Sequence, residues 1–464
     1  MNSAAICSVR SWLGIPYAKA KRFRRSVLLP FNPDLPYNQK GPAPADNGLS
    51  EDCLNLNIWA PENARRAKLP VIVYIFGGGF EIGANTTTTS NASGLAATGR
   101  AVGVSLNYRL GPLGWLSLSQ YGGVLAEATN LGLQDIISAL RWIQENIARF
   151  GGDPQQVTVA GHSAGAYSTM GLIAAPAANG LYRRLAAFSG GASRIVPAWW
   201  AEELAIKVLI ELGIADDPEQ LLTVDATLLA ETLIKVSPRD IGDRHGVDNT
   251  TIGIVNDHSQ PGAVLIDTPL RVLASGRHRD VDILLSTATN EADWWVINAT
   301  EKFDPGSIDN LVDELVTKSR IPRSRAKKLV AAYDVDGRTP VEVRGALLTD
   351  YFFTLPAARA ALAHSAAGGN VHLLSIGPVQ DAPAVHGTEM YGIVGQQRPK
   401  SSEEQAKQDI FVRDALLDFA EGNHDRLWKT VAGEPTTHGI GNPPYDPTIH
   451  AADVLRTFEG IERT

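Results

Sequence analysis

The chain has 464 residues, and its 42 Lys+Arg against 50 Asp+Glu give a formal net charge of −8. That length suits one large α/β domain or a few smaller ones, and it buries enough apolar surface to fold without disulfides or metals. The mild acidity excludes the basic face of a general nucleic-acid binder, and 44% hydrophobic with 20% charged residues excludes a disordered or fibrous chain.

Cys7 and Cys53 are too few for a disulfide framework or a cysteine zinc site, and can form one disulfide or stay reduced. No group of His, Asp and Glu has metal-ligand spacing, so neither metal nor cofactor is expected. The N-terminal residues lack the basic, apolar and small-residue order of a signal peptide. No run of 18 apolar residues occurs, so no membrane span is expected and the chain reads as cytoplasmic. The sequons at Asn85, Asn91, Asn249 and Asn298 matter only in a secreted protein.

Along the chain, short apolar runs alternate with helical patterns. Leu69 to Ile75 is a continuous apolar run ending at glycines, which predicts a buried central strand. Ala101 to Tyr108 predicts a second. From 131 to 150, Leu133, Ile136, Ile137, Leu140, Ile143 and Ile147 recur at helical spacing, and Gly151-Gly152 stop the helix. Val157 to Ala160 and Arg184 to Phe188 predict two more strands, and Val281–Ser286 and Val371–Ile376 two beyond those. Alternating strands and helices imply a mostly parallel, doubly wound sheet covered on both faces. Residues 192–275 and 298–365 read as helical insertions over a single domain spanning 1–464. The polar stretch 395–407 reads as a mobile loop.

Gly161-His162-Ser163-Ala164-Gly165 follows a strand and precedes a helical stretch, the setting of a nucleophile elbow. The turn presents Ser163 Oγ at the strand's end, with the Ala164 N–H beside it. Phe76-Gly77-Gly78-Gly79-Phe80 closes the first strand, and its glycines allow close backbone approach to a substrate. Gly78 and Gly79, with Ala164, are the expected oxyanion donors. The glycine spacing fits no phosphate-binding loop, because Ile82 stands where a third glycine would be needed.

Around these motifs, Glu51-Asp-Cys-Leu-Asn-Leu-Asn-Ile-Trp59 resembles a signature of the type-B carboxylesterase/cholinesterase family. Gly14–Ala18, Asn107–Gly114, Gly132–Asp135 and Phe150–Pro154 are similar to other segments of that family, densely over 14–191 and thinly afterwards. The resemblance implies an α/β-hydrolase fold and a triad in the order serine, glutamate, histidine. Ala384-Val-His-Gly-Thr-Glu-Met390 resembles the family's histidine segment and nominates His386. Ser286-Thr-Ala-Thr-Asn-Glu-Ala292 resembles its acid segment and nominates Glu291, although serine and alanine replace two glycines and leave Asp293 as a rival.

Of the other histidines, His162 should point away across the turn, His372 should lie in the core, and His278, His424, His438 and His450 should be solvated. The resemblance also pairs Arg109 with Asp153 and Arg22 with Glu51, and puts Ser189 behind the triad, where it equally suits a strand-end backbone contact. The upstream loop lacks a second cysteine and a tryptophan, which argues against a choline platform. Phe80, Trp199, Trp200, Trp294 and Trp295 are the candidate substrate-pocket residues. The function expected is hydrolysis of uncharged short- to medium-chain esters, with no nucleic-acid partner. A non-catalytic adhesion protein on this fold, or an amidase or acyltransferase using the same triad, is the alternative.

Overall fold

The computed structural model describes residues 7–44, 50–64, 67–237, 252–260, 262–295, 303–317, 321–335, 337–380, 382–442 and 446–461. Asn249 and Asn298 lie outside the described residues, as does part of each expected insertion.

Nine strands form one sheet: β1 (Val9–Pro16), β2 (Asn55–Pro61), β3 (Leu69–Ile75), β4 (Val102–Leu106), β5 (Gly152–His162), β6 (Arg184–Phe188), β7 (Asp282–Ala288), β8 (Val371–Val379) and β9 (Thr437–Asn442). Their order across the sheet is β1-β2-β4-β3-β5-β6-β7-β8-β9. β2 runs antiparallel to its neighbours, and every other neighbouring pair is parallel. All residues of β4, β6 and β7 are buried. Successive side chains point to opposite faces, so both faces must be covered. The helices α1 (Leu131–Asn146), α2 (Ala164–Gly171), α8 (Leu355–Ala366) and α9 (Glu403–Glu421) supply that cover.

The remaining long helices are α3 (Ala198–Leu212), α4 (Ala226–Val236), α5 (Ile308–Thr317), α6 (Arg323–Ala331), α7 (Pro340–Thr349) and α10 (Pro447–Thr457). Residues 192–275 are not wholly helical, since Ile195–Pro197 and Ile254–Asn256 pair as a short parallel ladder. Apolar residues of α5, α6, α7 and α10 make a second core cluster apart from the one around the sheet. The stretch 395–407 is not all loop. Helix α9 begins at Glu403, and the Ser402 side chain caps it by accepting from the Gln405 N–H. A polar, charged composition marks an exposed helix face as readily as a loop.

Candidate active site

The turn from β5 into α2 puts Ser163 at φ 55°, ψ −122°. Two glycines make this conformation possible. A Cβ on Gly161 would lie 2.2 Å from the Gly165 carbonyl oxygen, and one on Gly165 would lie 2.1 Å from that of Ile75. The strand and helix can therefore pack closely enough to hold the serine in a backbone region that L-residues seldom occupy.

Ser163 Oγ lies 2.9 Å from Nε2 of His386, whose Nδ1 lies 2.6 Å from Oε2 of Glu291. The loops carrying the last two residues are tied together by backbone, since Asn290 N–H donates to the Ala384 carbonyl at 2.9 Å. Glu291 is fully buried, and its Oε1 accepts from the Ala288 N–H at 2.8 Å. Asp293 does not reach the imidazole; it accepts from the Asn290 amide at 2.8 Å.

Burial is the largest influence on both members of the pair. It pushes Glu291 up, against the bond donated by the Ala288 N–H. It pulls His386 down to about 3, with the Arg194 guanidinium adding to the shift. The imidazole is thus uncharged near neutrality and able to accept a proton. Trp295, Phe353 and His162 surround its ring at centroid distances of 5.1, 5.1 and 4.8 Å.

Beside the serine, Gly78 and Gly79 adopt φ values of 116° and 67°. A Cβ at Gly78 would meet the Ile82 carbonyl oxygen at 2.1 Å. Among the described residues, the N–H groups of Gly78, Gly79 and Ala164 are donated to no backbone carbonyl outside their own elements. Phe76 stacks on Tyr108 at 4.8 Å, and the tyrosine hydroxyl donates to the Phe76 carbonyl, so this aromatic position braces the loop.

These groups open on a cavity of about 510 Å³ whose wall includes Phe76, Ile82, Tyr167, Trp294, Trp295, Phe352, Phe353 and Met390. Glu81 and Arg194, one charge of each sign, also line it. Three of the five expected pocket residues lie elsewhere. Phe80 is fully buried with its ring 4.5 Å from Trp115. Trp199 is 60% exposed on α3, and Trp200 packs with Val196, Ala201 and Val255. The two tryptophans start a helix whose first turn packs on the short parallel ladder and whose later buried residues join the large cluster around the sheet.

Other expectations also change. Arg109 pairs with Asp135 at 2.7 Å, and not with Asp153, which accepts from the Gln155 N–H near the start of β5. Asp135 faces Arg109 from the first turns of α1, fully buried. Arg22 does pair with Glu51. His162 does not turn away. Its ring lies on the cavity wall against the glycine loop, where no side chain displaces it, and burial lowers its pKa. His372 is buried, as expected. His278, His424 and His438 are half-buried, and His424 Nδ1 lies 3.1 Å from His372 Nε2. His450 is exposed, but bonded to Asp350.

The sequence reading passed over Glu389, Arg194, Phe352 and Phe353. Glu389 is buried beside Ser189, accepts a hydrogen bond from the Ser189 hydroxyl, and is pushed up to about 8 by burial and by the charge of Glu291. Its position three residues after His386 was a usable signal. Phe352 and Phe353 carried none, because they lie inside a helical stretch whose geometry only tertiary packing decides.

Cys7 and Cys53 are both free. Among the described residues, no helix is long and apolar enough to cross a membrane, and no group of three or more His, Cys, Asp or Glu could hold a metal ion.

Comparison with known proteins gives the same picture. The profile of the Carboxylesterase family matches residues 1–423. The para-nitrobenzyl esterase of Bacillus subtilis (strain 168) is 32% identical over 375 residues, covering 77% of this chain and 73% of that protein. A solved PNB esterase superposes with a TM-score of 0.82 at 29% identity, over 98% of this chain and 97% of its own. A carboxylesterase of Geobacillus stearothermophilus superposes with a TM-score of 0.81 at 26% identity, over the same shares of both chains. The chain belongs to the carboxylesterase family and has its α/β-hydrolase fold.

Proposed function

We propose that this enzyme, a carboxylesterase, hydrolyses carboxylic esters through a Ser163–His386–Glu291 triad and an acyl-enzyme. The observation that carries the reading is the pair of contacts, 2.9 and 2.6 Å, that link Ser163 through His386 to a buried carboxyl at the edge of an apolar cavity. His386 takes the serine proton as Oγ attacks the ester carbonyl, and the N–H groups of Gly78, Gly79 and Ala164 receive the developing oxyanion. The imidazolium then protonates the leaving alcohol, and water hydrolyses the acyl-enzyme by the same steps. Glu291 holds the tautomer with Nδ1 protonated and stabilises the imidazolium.

The aromatic lining around Trp294, Trp295, Phe352 and Phe353 suits uncharged esters with short or medium acyl groups and aromatic alcohols. Glu81 and Arg194 oppose each other in sign, which favours no net charge on the substrate. A cytoplasmic location is part of the proposal and rests on the two free cysteines.

Hydrolysis of p-nitrophenyl acetate by the wild type and Ser163→Ala tests this. The variant should retain less than about a hundredth of the rate. Glu291→Gln should cost far more in kcat than Asp293→Asn, and the reverse order would reassign the acid. A fluorophosphonate probe that fails to label Ser163 would favour a binding-only protein. Faster turnover of amide analogues, or transfer to an added alcohol, would favour an amidase or acyltransferase.

A further inference from the structure

His450 stands on α10 outside the cavity, yet it ends a chain of contacts that reaches the cavity wall. Its Nε2 lies 2.9 Å from Oδ1 of Asp350, a residue only 2% exposed, and the Tyr333 hydroxyl donates to Oδ2 at 2.8 Å. Asp350 opens a π-turn, Asp350–Thr354, set between α7 and α8. That turn carries Phe352 and Phe353, both on the cavity wall, and Phe353 lies against His386. Thr349, one residue earlier, accepts from the N–H of Ala292, the neighbour of Glu291, at 3.0 Å. A π-turn packs one extra residue into a helical turn and relies on outside ties to persist. A buried carboxylate, likewise, is costly unless neighbours compensate it.

We propose that His450 is a positioning residue for the ester-binding wall: by holding Asp350 it sets where the π-turn places Phe352 and Phe353, so that selectivity for bulky esters follows the protonation of an exposed histidine. This rests on the esterase reading of the cavity and adds to it a control seated outside the lining.

The charged groups around the imidazole are Asp350, the nearby Asp453 on its own helix, and Arg338, which opposes its protonation. Arg359 of α8 is bonded to the Phe458 and Ile461 carbonyls, and His438 of β9 stacks on Trp428. The bond to Asp350 is the largest influence and raises the His450 pKa. A raised value means that the ion pair is complete at low pH and is lost as pH rises through it.

The test measures kcat and KM for p-nitrophenyl acetate and p-nitrophenyl octanoate from about pH 6 to about pH 9, for the wild type and His450→Gln. In the wild type, KM for the octanoate should change about threefold or more across that range, while KM for the acetate stays flat. In His450→Gln the octanoate KM should become independent of pH, with kcat for the acetate within about twofold of wild type. Tryptophan emission gives a readout apart from turnover, since Trp295 stacks 6.3 Å from Phe353. Its pH dependence should shrink in the same variant. An unchanged octanoate profile in His450→Gln, or an equal fall on both esters, overturns the proposal. If the wild type hydrolyses neither ester, the esterase reading fails and takes this inference with it; hydrolysis with no change in the profile fails the inference alone.

Discussion

In the proposed mechanism, His386 decides when Ser163 can lose its proton. A base works only unprotonated, so a pKa pulled down by burial and by Arg194 keeps it competent as pH falls, until pH passes through the lowered value. The acid limb of kcat/KM is therefore expected well below about 6.5, the ordinary histidine value. Arg194→Met removes the cation's share and should move that limb upward, by up to about one unit. A limb that stays in place, or moves down, refutes this account. The serine and histidine were legible in the sequence because each sits in a short motif with a steric or chemical reason. Gly161 and Gly165 are required by carbonyl oxygens 2.2 and 2.1 Å from their absent Cβ atoms. Arg194 was not legible, since nothing local to it says that its guanidinium faces a histidine 192 positions further along the chain.

At the scale of elements, legibility follows an unbroken apolar run and not burial alone: β2 is buried throughout, but Asn55 and Asn57 interrupt its pattern and it was not anticipated. β3 and β7 are apolar runs because both of their faces are covered, and such runs stand out in a sequence. β1 and β9 lie at the sheet edges, half-buried, and were not anticipated. The same limit explains the arginine pairing: a family pattern named two positions, whereas packing chose the carboxylate on α1. Arg109 and Asp135 are 4% and 0% exposed and join the loop after β4 to that helix through two hydrogen bonds between guanidinium and carboxylate. Asp135→Asn keeps the shape and removes the compensating charge, leaving a buried cation. Urea unfolding should show a loss of about 3–5 kcal/mol, because one partner of a buried pair is gone. Asp153→Asn, at a half-buried position near the sheet's rim, should change stability by less than about 0.5 kcal/mol. Equal effects would mean that the α1 carboxylate is not the partner that matters.

Across the whole molecule, the proposed machinery is divided between two apolar clusters. Ser163 stands on a turn whose neighbours, Ala160, Ala164 and Ala166, belong to the large cluster around the sheet. Phe352 and Phe353 belong to the smaller one, which also holds Ala292 beside Glu291 and draws in Val454 from α10 and Phe458 just after it. The doubly wound sheet was legible from alternating strands and helices. This division was not, because it depends on which helices share a core and not on any local pattern. Cooperative units open in order of the apolar surface they bury, and the smaller cluster buries less. Loosening it would displace Phe353 from His386 and Ala292 from its bond to Thr349 while the sheet stays intact. Esterase activity should therefore fall at a lower urea concentration than the far-UV signal of the whole chain, and the Phe458→Ala variant should widen the gap. Phe458 stacks on Tyr351 at 5.7 Å, so its removal weakens the small cluster without touching the sheet. Activity and far-UV curves that coincide in both proteins would instead make the chain one cooperative unit, with the wall and the nucleophile lost together.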